Sequence, residues 1–157
     1  MTPIRRQEAP MIRASFLIAL SAVTSVSALA GELTILDGWA RETPPGKRMT
    51  AAYGTIMNVG DDPIVITGVS SEVAAHSSFH ETRIERDRSI MRPVANMSIA
   101  PGAQVELNPG GMHIMLMKLE APLVEGELID ICFKLENNED SCSAIPVAKR
   151  KSAGHSH

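Results

Sequence analysis

The stretch GGMHIMLM, residues 110–117, places three methionines and one histidine in eight positions. In an extended strand alternate side chains point to opposite faces. One face would hold His113, Met115 and Met117, and the other would hold Met112, Ile114 and Leu116. The second set can fill a core, whereas a histidine beside methionines is less easily explained as packing. This stretch therefore predicts a strand with a core on one side and a candidate site on the other.

Turn-forming segments interrupt the rest of the chain about every ten residues. They are TPPGK (43–47), NVGDDP (58–63), APGA (100–103), NPGG (108–111) and ENNED (136–140). The runs between them suit short strands, and none maintains an apolar period of 3.6 over three turns. The β-compatible runs are LTILDGWARE, MTAAYGTIMNV, PIVITGVS, SSFHETRIE, SIMRPV, AQVELNP, MHIMLMKL, ELIDICFKL and SCSAIPVA; SSEVAAHSSF allows one helical turn at most. This pattern predicts an all-β fold, an antiparallel sandwich or barrel.

The first thirty residues differ from the remainder of the chain. Three arginines precede the apolar run ASFLIALSAVTSVSALA, which ends in a small-x-small triplet before Gly31. We interpret residues 1–30 as a secretory signal peptide that is cleaved after Ala30, which predicts a periplasmic protein. Translation starts at Met1 or at Met11, and an uncleaved anchor is the alternative to cleavage.

The remaining chain is short enough for one domain, at residues 31–148, followed by a polar tail at 149–157, KRKSAGHSH, that is expected to be disordered. Residues 1–30 hold three of the 15 basic and one of the 18 acidic residues, so the remainder has a net charge of about −5. A nucleic-acid partner is not expected, because such binding depends on neutralising phosphates.

Cys132 and Cys142 are the two cysteines of the chain, and both follow the predicted signal peptide. The segment between them, FKLENNEDS, has a polar centre that favours a hairpin with the two thiols on facing strands. In an oxidising compartment this arrangement predicts a cross-strand disulfide. A thiol metal site or a redox pair is the alternative, although the spacing is not C-x-x-C.

His113 and Met115 are the first candidate metal ligands. At positions i and i+2 of one strand they would lie about 7 Å apart at the backbone and point the same way. Imidazole nitrogen with thioether sulfur is a soft pair that favours Cu(I). Neighbouring strands offer His80 in FHET and Met91 in SIMRPV as supporting ligands. The competing interpretation is that the methionines are core filler and His80 a surface residue.

The four candidates follow the pattern H-x10-M-x21-H-x-M. This spacing, with MRPV, the Gly-Gly turn before HIMLM, and the words FHET, DGWAR and PPGKRMTAAY, closely resembles the periplasmic copper chaperones called PCuAC. The resemblance extends from about Leu33 to Val147. Members often carry methionine directly after the first histidine, where this chain has Glu81.

The resemblance implies an antiparallel Greek-key β-sandwich of the cupredoxin type. It implies a Cu(I) site formed by His80, Met91, His113 and Met115, with Met117 in reserve as an accessory ligand. It also implies a carrier that delivers copper to the binuclear centre of cytochrome c oxidase or serves copper homeostasis. The expected partners are the recipient oxidase subunit or a thiol-dependent copper chaperone.

The histidines of the tail, His155 and His157, offer a flexible imidazole pair that could capture Cu(II), although a tail without a ligand is an equal alternative. No G-x-S-x-G or H-E-x-x-H pattern indicates an enzyme, and no small-molecule substrate is expected. Two further functions stay open. One is a cupredoxin-like electron carrier, which needs a cysteine thiolate with two histidines. The other is a periplasmic structural module that binds no metal.

Overall fold

The computed structural model describes residues 33–137 and 139–149 of the chain, and these residues form ten β-strands. The strands are β1 Leu33–Arg41, β2 Met49–Asn58, β3 Ile64–Ser70, β4 Ala74–Glu85, β5 Arg88–Val94, β6 Met97–Ile99, β7 Gln104–Leu107, β8 Met112–Leu119, β9 Leu128–Leu135 and β10 Asp140–Ala148. Within these residues there is no helix long and apolar enough to cross a membrane. The predicted signal peptide and the histidine-bearing end of the tail lie outside the described residues.

The strands form two layers that meet at one seam. The order is β5-β4-β8-β2-β1 in the first layer, with β7 also paired to β2, and β10-β9-β3-β6 in the second. All pairs within the layers are antiparallel, as the turn pattern predicts. At the seam β1 pairs with β10 in parallel, through Ala40 opposite Val147 and Arg41 opposite Ala148. The sheet is therefore mixed, because the first and last strands run in the same direction.

The core lies between the two layers. Phe79 of β4 stacks on Phe133 of β9, with 6.1 Å between the ring centroids. Fully buried branched residues surround them, among them Ile56, Ile66 and Ile114. Aromatic rings contribute large buried areas, so this pair determines which face of each layer is turned toward the core. Because Phe79 points into the core, the next residue, His80, is directed to the outer face of the first layer.

The predicted strands correspond to nine of the observed ones, and β6, which has three residues, was not predicted. SSEVAAHSSF contains no helical turn, which is within the limit of one turn that its sequence allows. β4 begins at Ala74, and its first residues pair with the end of β8, with Ala74 opposite Leu119. Pairing with a distant strand overrides the weak local preference of this segment.

The predicted disulfide is confirmed. Cys132 and Cys142 lie directly opposite each other on β9 and β10, their Cα atoms 4.0 Å apart, and their sulfurs are bonded. Ile131 and Phe133, on either side of Cys132, are buried, which is the alternation that places the cysteine on the opposite face. The bridge therefore holds the hairpin at the outer side of the second layer.

A close backbone approach occurs where β1 and β2 change register. The pairing shifts between Leu36 and Trp39, and Gly54 of β2 faces Gly38 across this bulge. Gly54 has φ 143°, and a Cβ atom there would lie 2.8 Å from the Cα atom of Gly38. Only glycine satisfies both conditions. The bulge lies beside Tyr53, the residue before Gly54, which lines the cleft at the candidate site.

Candidate metal centre

The four predicted ligands lie on one face of the first layer. His80 of β4 pairs directly with His113 of β8, and Met115 pairs with Ser78 two residues further along. Met91 of β5 lies opposite Thr82, which is two residues from His80 on β4. Directly paired residues of neighbouring strands direct their side chains to the same face. All four candidates therefore face away from the Phe79–Phe133 core.

His113 is buried, with 4% of its surface exposed. Its Nδ1 lies 3.0 Å from the carbonyl oxygen of Gly111. That oxygen also accepts a hydrogen bond from the backbone N–H of Thr82 at 3.1 Å, so it is fixed between two strands. When Nδ1–H donates to this carbonyl, the lone pair of Nε2 is left for a metal, which is the usual arrangement of metal-binding histidines. The NPGG turn thus orients the ring of the first candidate ligand.

His80 offers its other ring nitrogen. Its Nε2 lies 3.0 Å from Ser78 Oγ, whereas Nδ1 is buried without a hydrogen-bond partner among the described residues. In the tautomer whose Nε2–H donates to Ser78, Nδ1 carries a free lone pair. The pKa of His80 is lowered from its ordinary value, mainly because burial penalises the charged ring and further because His113 lies nearby. The two imidazole rings are 6.2 Å apart at their centroids.

A cleft of about 280 Å³ lies in front of this face. Met91, His113 and Met115 line it together, and Arg41 and Met49 are among the other residues that line it. His80 is not among the residues that line the cleft, and it lies beside His113. The structure therefore brings three of the predicted ligands to one cavity and places the fourth on the adjoining strand.

Sequence reasoning assigned no role to the aromatic wall behind the site. Trp39 and Tyr53 are buried with ring centroids 4.8 Å apart, and Tyr53 lies 6.3 Å from the ring of His113. Met115 packs against this cluster, and the Arg41 guanidinium lies over the Tyr53 ring at 5.4 Å. Trp39 and Arg41 lie in the segment DGWAR, and Tyr53 lies in the segment PPGKRMTAAY. Their presence in these two segments is the only indication of the aromatic wall in the sequence. Packing against this wall restricts the conformations available to the Met115 side chain.

Met117 lies on the same face but one pair further along β8, opposite His76 on one side and Met49 on the other. It does not line the cleft. The tail histidines His155 and His157 lie outside the described residues. Among the described residues no three His, Cys, Asp or Glu side chains are grouped to hold a metal.

The sequence matches a family model described as "Putative lipoprotein LpqE-like" over residues 33–147. A protein of Leifsonia xyli subsp. xyli named "Putative lipoprotein Lxx21020" is 33% identical over 119 residues, which are 75% of this chain and 70% of that protein. The family match extends over all ten strands, from Leu33 to Val147 of β10.

Two solved structures are also similar. The Cu(I) form of DR1885 from Deinococcus radiodurans is 31% identical, with a TM-score of 0.55 over 77% of this chain and 83% of that one. The copper-bound PCuAC domain from PmoF2 is 20% identical, with a TM-score of 0.62 over 76% of this chain and 95% of that one. The second likeness shows the fold alone. The fold is thus the cupredoxin-like β-sandwich of PCuAC domains.

Proposed function

Because the chain belongs to the LpqE-like family and has the fold of PCuAC domains, we propose that it is a copper chaperone that binds Cu(I) and hands it to another protein. The proposal is of a carrier rather than an enzyme, with copper as its cargo. The similarity to the Cu(I) form of DR1885, at 31% identity, supports this cargo.

The proposed ligands are His80, Met91, His113 and Met115. One observation carries the proposal: the four side chains share one face, and three of them line one cleft. The free Nδ1 of His80 and the carbonyl-anchored ring of His113 supply two nitrogen lone pairs. Two thioethers complete a soft, neutral set that suits Cu(I) better than harder ions.

This ligand set is suited to transfer. Thioethers and imidazoles bind Cu(I) without a thiolate, so the site does not require a reduced cysteine in an oxidising compartment. Met91 is 49% exposed, while His113 is buried. An incoming ligand can therefore displace Met91 first while the buried histidine retains the ion, and replacement then proceeds one bond at a time.

The direct test is competition between the purified protein and a Cu(I) chelator under reducing conditions, followed by X-ray absorption. We expect one tightly held ion coordinated by two sulfurs and two nitrogens. A spectrum without sulfur ligands, or no competition with the chelator, would refute the site.

We further propose that the protein is exported and acts in the periplasm, with residues 1–30 as its signal peptide. The family and the Leifsonia xyli protein both carry the description "Putative lipoprotein", which supports export. The proposed recipients are a cytochrome c oxidase subunit, at whose binuclear centre the copper is inserted, or a thiol-dependent copper chaperone; general copper homeostasis is the alternative role.

An electron carrier of the blue-copper type is the nearest competing function. It needs a cysteine thiolate beside two histidines, but Cys132 and Cys142 are bonded to each other in the second layer. We therefore expect no intense visible absorption when Cu(II) is added.

Replacing His155 and His157 by glutamine in the same Cu(II) titration tests the tail. Loss of Cu(II) binding would assign that binding to the tail, and unchanged binding would exclude the tail. A metal-free structural module predicts no Cu(I) binding in the competition with the chelator.

Cu(I) affinity is expected to fall in acid, because protons compete for imidazole. Burial and His113 lower the pKa of His80 from 6.5, so His80 remains neutral to a more acidic pH than an exposed histidine. Below that lowered pKa, protonation of His80 alone should reduce affinity by up to about tenfold per pH unit. Chelator competition between pH 5 and 8 measures this slope. His80→Gln should remove the part of the pH dependence of Cu(I) affinity that His80 contributes. An unchanged slope in that variant would contradict the role of His80 as a ligand.

A further inference from the structure

A second group of soft ligands lies beside the proposed site. Met117 of β8 pairs directly with His76 of β4 and with Met49 of β2, so the three side chains share the outer face of the first layer. This row lies two residues along β8 from the row of Met115, a separation of about 7 Å. Met49 also lines the cleft that contains His113. The two rows are therefore neighbours on one continuous surface.

Packing does not account for these methionines. Met49 is 50% exposed, and neither it nor Met117 belongs to the hydrophobic clusters of the described residues. His76 is exposed, so its ring can rotate toward Met117. Nearby, the Arg48 guanidinium is held by the carbonyl oxygen of Leu119 at 2.8 and 3.0 Å, which keeps this cation on the backbone. Two thioethers and one imidazole thus remain free to bind.

We propose that Met49, His76 and Met117 form a second Cu(I) site, weaker and more exposed than the first. Each outer residue is a direct neighbour of Met117, and methionine side chains are long and flexible enough to converge over one pleat. Thioether and imidazole ligands select a soft monovalent ion. The inference deepens the proposed function, because it adds a second position for the same cargo next to the cleft.

The second ion should bind at least about tenfold more weakly than the first. Only three ligands are present, and a cation already held about 7 Å away repels the next. The ion remains Cu(I) throughout, and only ligand bonds form and break. Such a site would hold an ion at the rim of the cleft while the four-ligand site is filled.

The experiment is a titration of the full chain with Ag(I), a redox-stable probe for Cu(I), monitored by the ε-methyl signals of ¹³C-labelled methionine. His155→Gln and His157→Gln are present throughout to remove the tail as a competitor. We expect the first equivalent to move the signals of Met91 and Met115, and the second to move those of Met49 and Met117. Met57, near the opposite end of β2, should not move and serves as the internal control.

Variants separate the two sites. His76→Gln, at a residue that does not line the cleft, should weaken the second event and leave the first affinity unchanged. Met49→Leu with Met117→Leu should reduce the stoichiometry from two to one, since leucine preserves volume without sulfur. Met91→Leu with Met115→Leu should remove the tighter event and retain the weaker one. If Met49 and Met117 signals do not move with two equivalents, the second site is refuted. If they move but those of Met91 and Met115 do not, the second site stands and the proposed four-ligand site fails.

Discussion

Replacing Met91 and Met115 together by alanine should weaken Cu(I) binding by about 1,000-fold or more, equivalent to about 4 kcal/mol of binding free energy. Loss of residues that merely orient metal ligands costs about 10- to 100-fold, so loss of two direct ligands should exceed that range. Competition with a chelator measures the change. Trp39, the one tryptophan of the sequence, lies in the wall behind Met115 and gives a second signal of copper binding by its fluorescence.

Folding should survive these substitutions. Met91 is exposed and Met115 is half-buried at the aromatic cluster, so neither supports the core between the layers. The leucine pair at the same positions is the matched control for volume, and it should lose the same affinity because it also lacks sulfur. Met57→Ala controls for methionine loss elsewhere. Wild-type affinity in the double alanine variant would remove both residues from the site.

Gly54→Ala should lower the free energy of unfolding by about 4 kcal/mol. Two costs combine at this position: φ of 143° is open to glycine almost alone, and the added Cβ would lie 2.8 Å from the Cα atom of Gly38. That neighbour is backbone on a paired strand and cannot rotate away. Urea denaturation followed by Trp39 fluorescence measures the loss.

Gly102→Ala is the matched control for Gly54→Ala. Gly102 also has positive φ, at 69°, but nothing lies within 4 Å of its added Cβ. The expected cost there is only about 1 kcal/mol, that of a left-handed conformation for a non-glycine residue. Equal losses at the two glycines would show that the close approach of β1 and β2 contributes nothing.

Alternation along residues 112–117 was enough to predict the two faces of β8, since neighbours in sequence determine which way a strand residue points. Met112 packs against the core and Ile114 is fully buried, as that pattern required. The hairpin of Cys132 and Cys142 was likewise predictable from a short continuous segment of the sequence. Predictions based on adjacent residues therefore agreed with the structure.

Features that depend on distant pairing were not accessible in the same way. That His80 lies opposite His113 is a matter of register between strands more than thirty residues apart, and only the spacing of a known family suggested it. The parallel seam, the three-residue β6 and the tilted ring contact between Trp39 and Tyr53 have no local pattern of their own. Their geometry depends on how strands that are distant in the sequence pair and pack in the folded sandwich.

The seam between β1 and β10 has a consequence for how the chain reaches its native state. β1 can pair with β2 early, but its other edge finds β10 only when residues as far along the chain as Val147 are available, because Ala40 pairs with Val147. Such long-range topology folds slowly, on the order of milliseconds to seconds. A chain that cannot close its sandwich early stays unfolded for longer, and this is the state in which the proposed export would move it through a secretion channel.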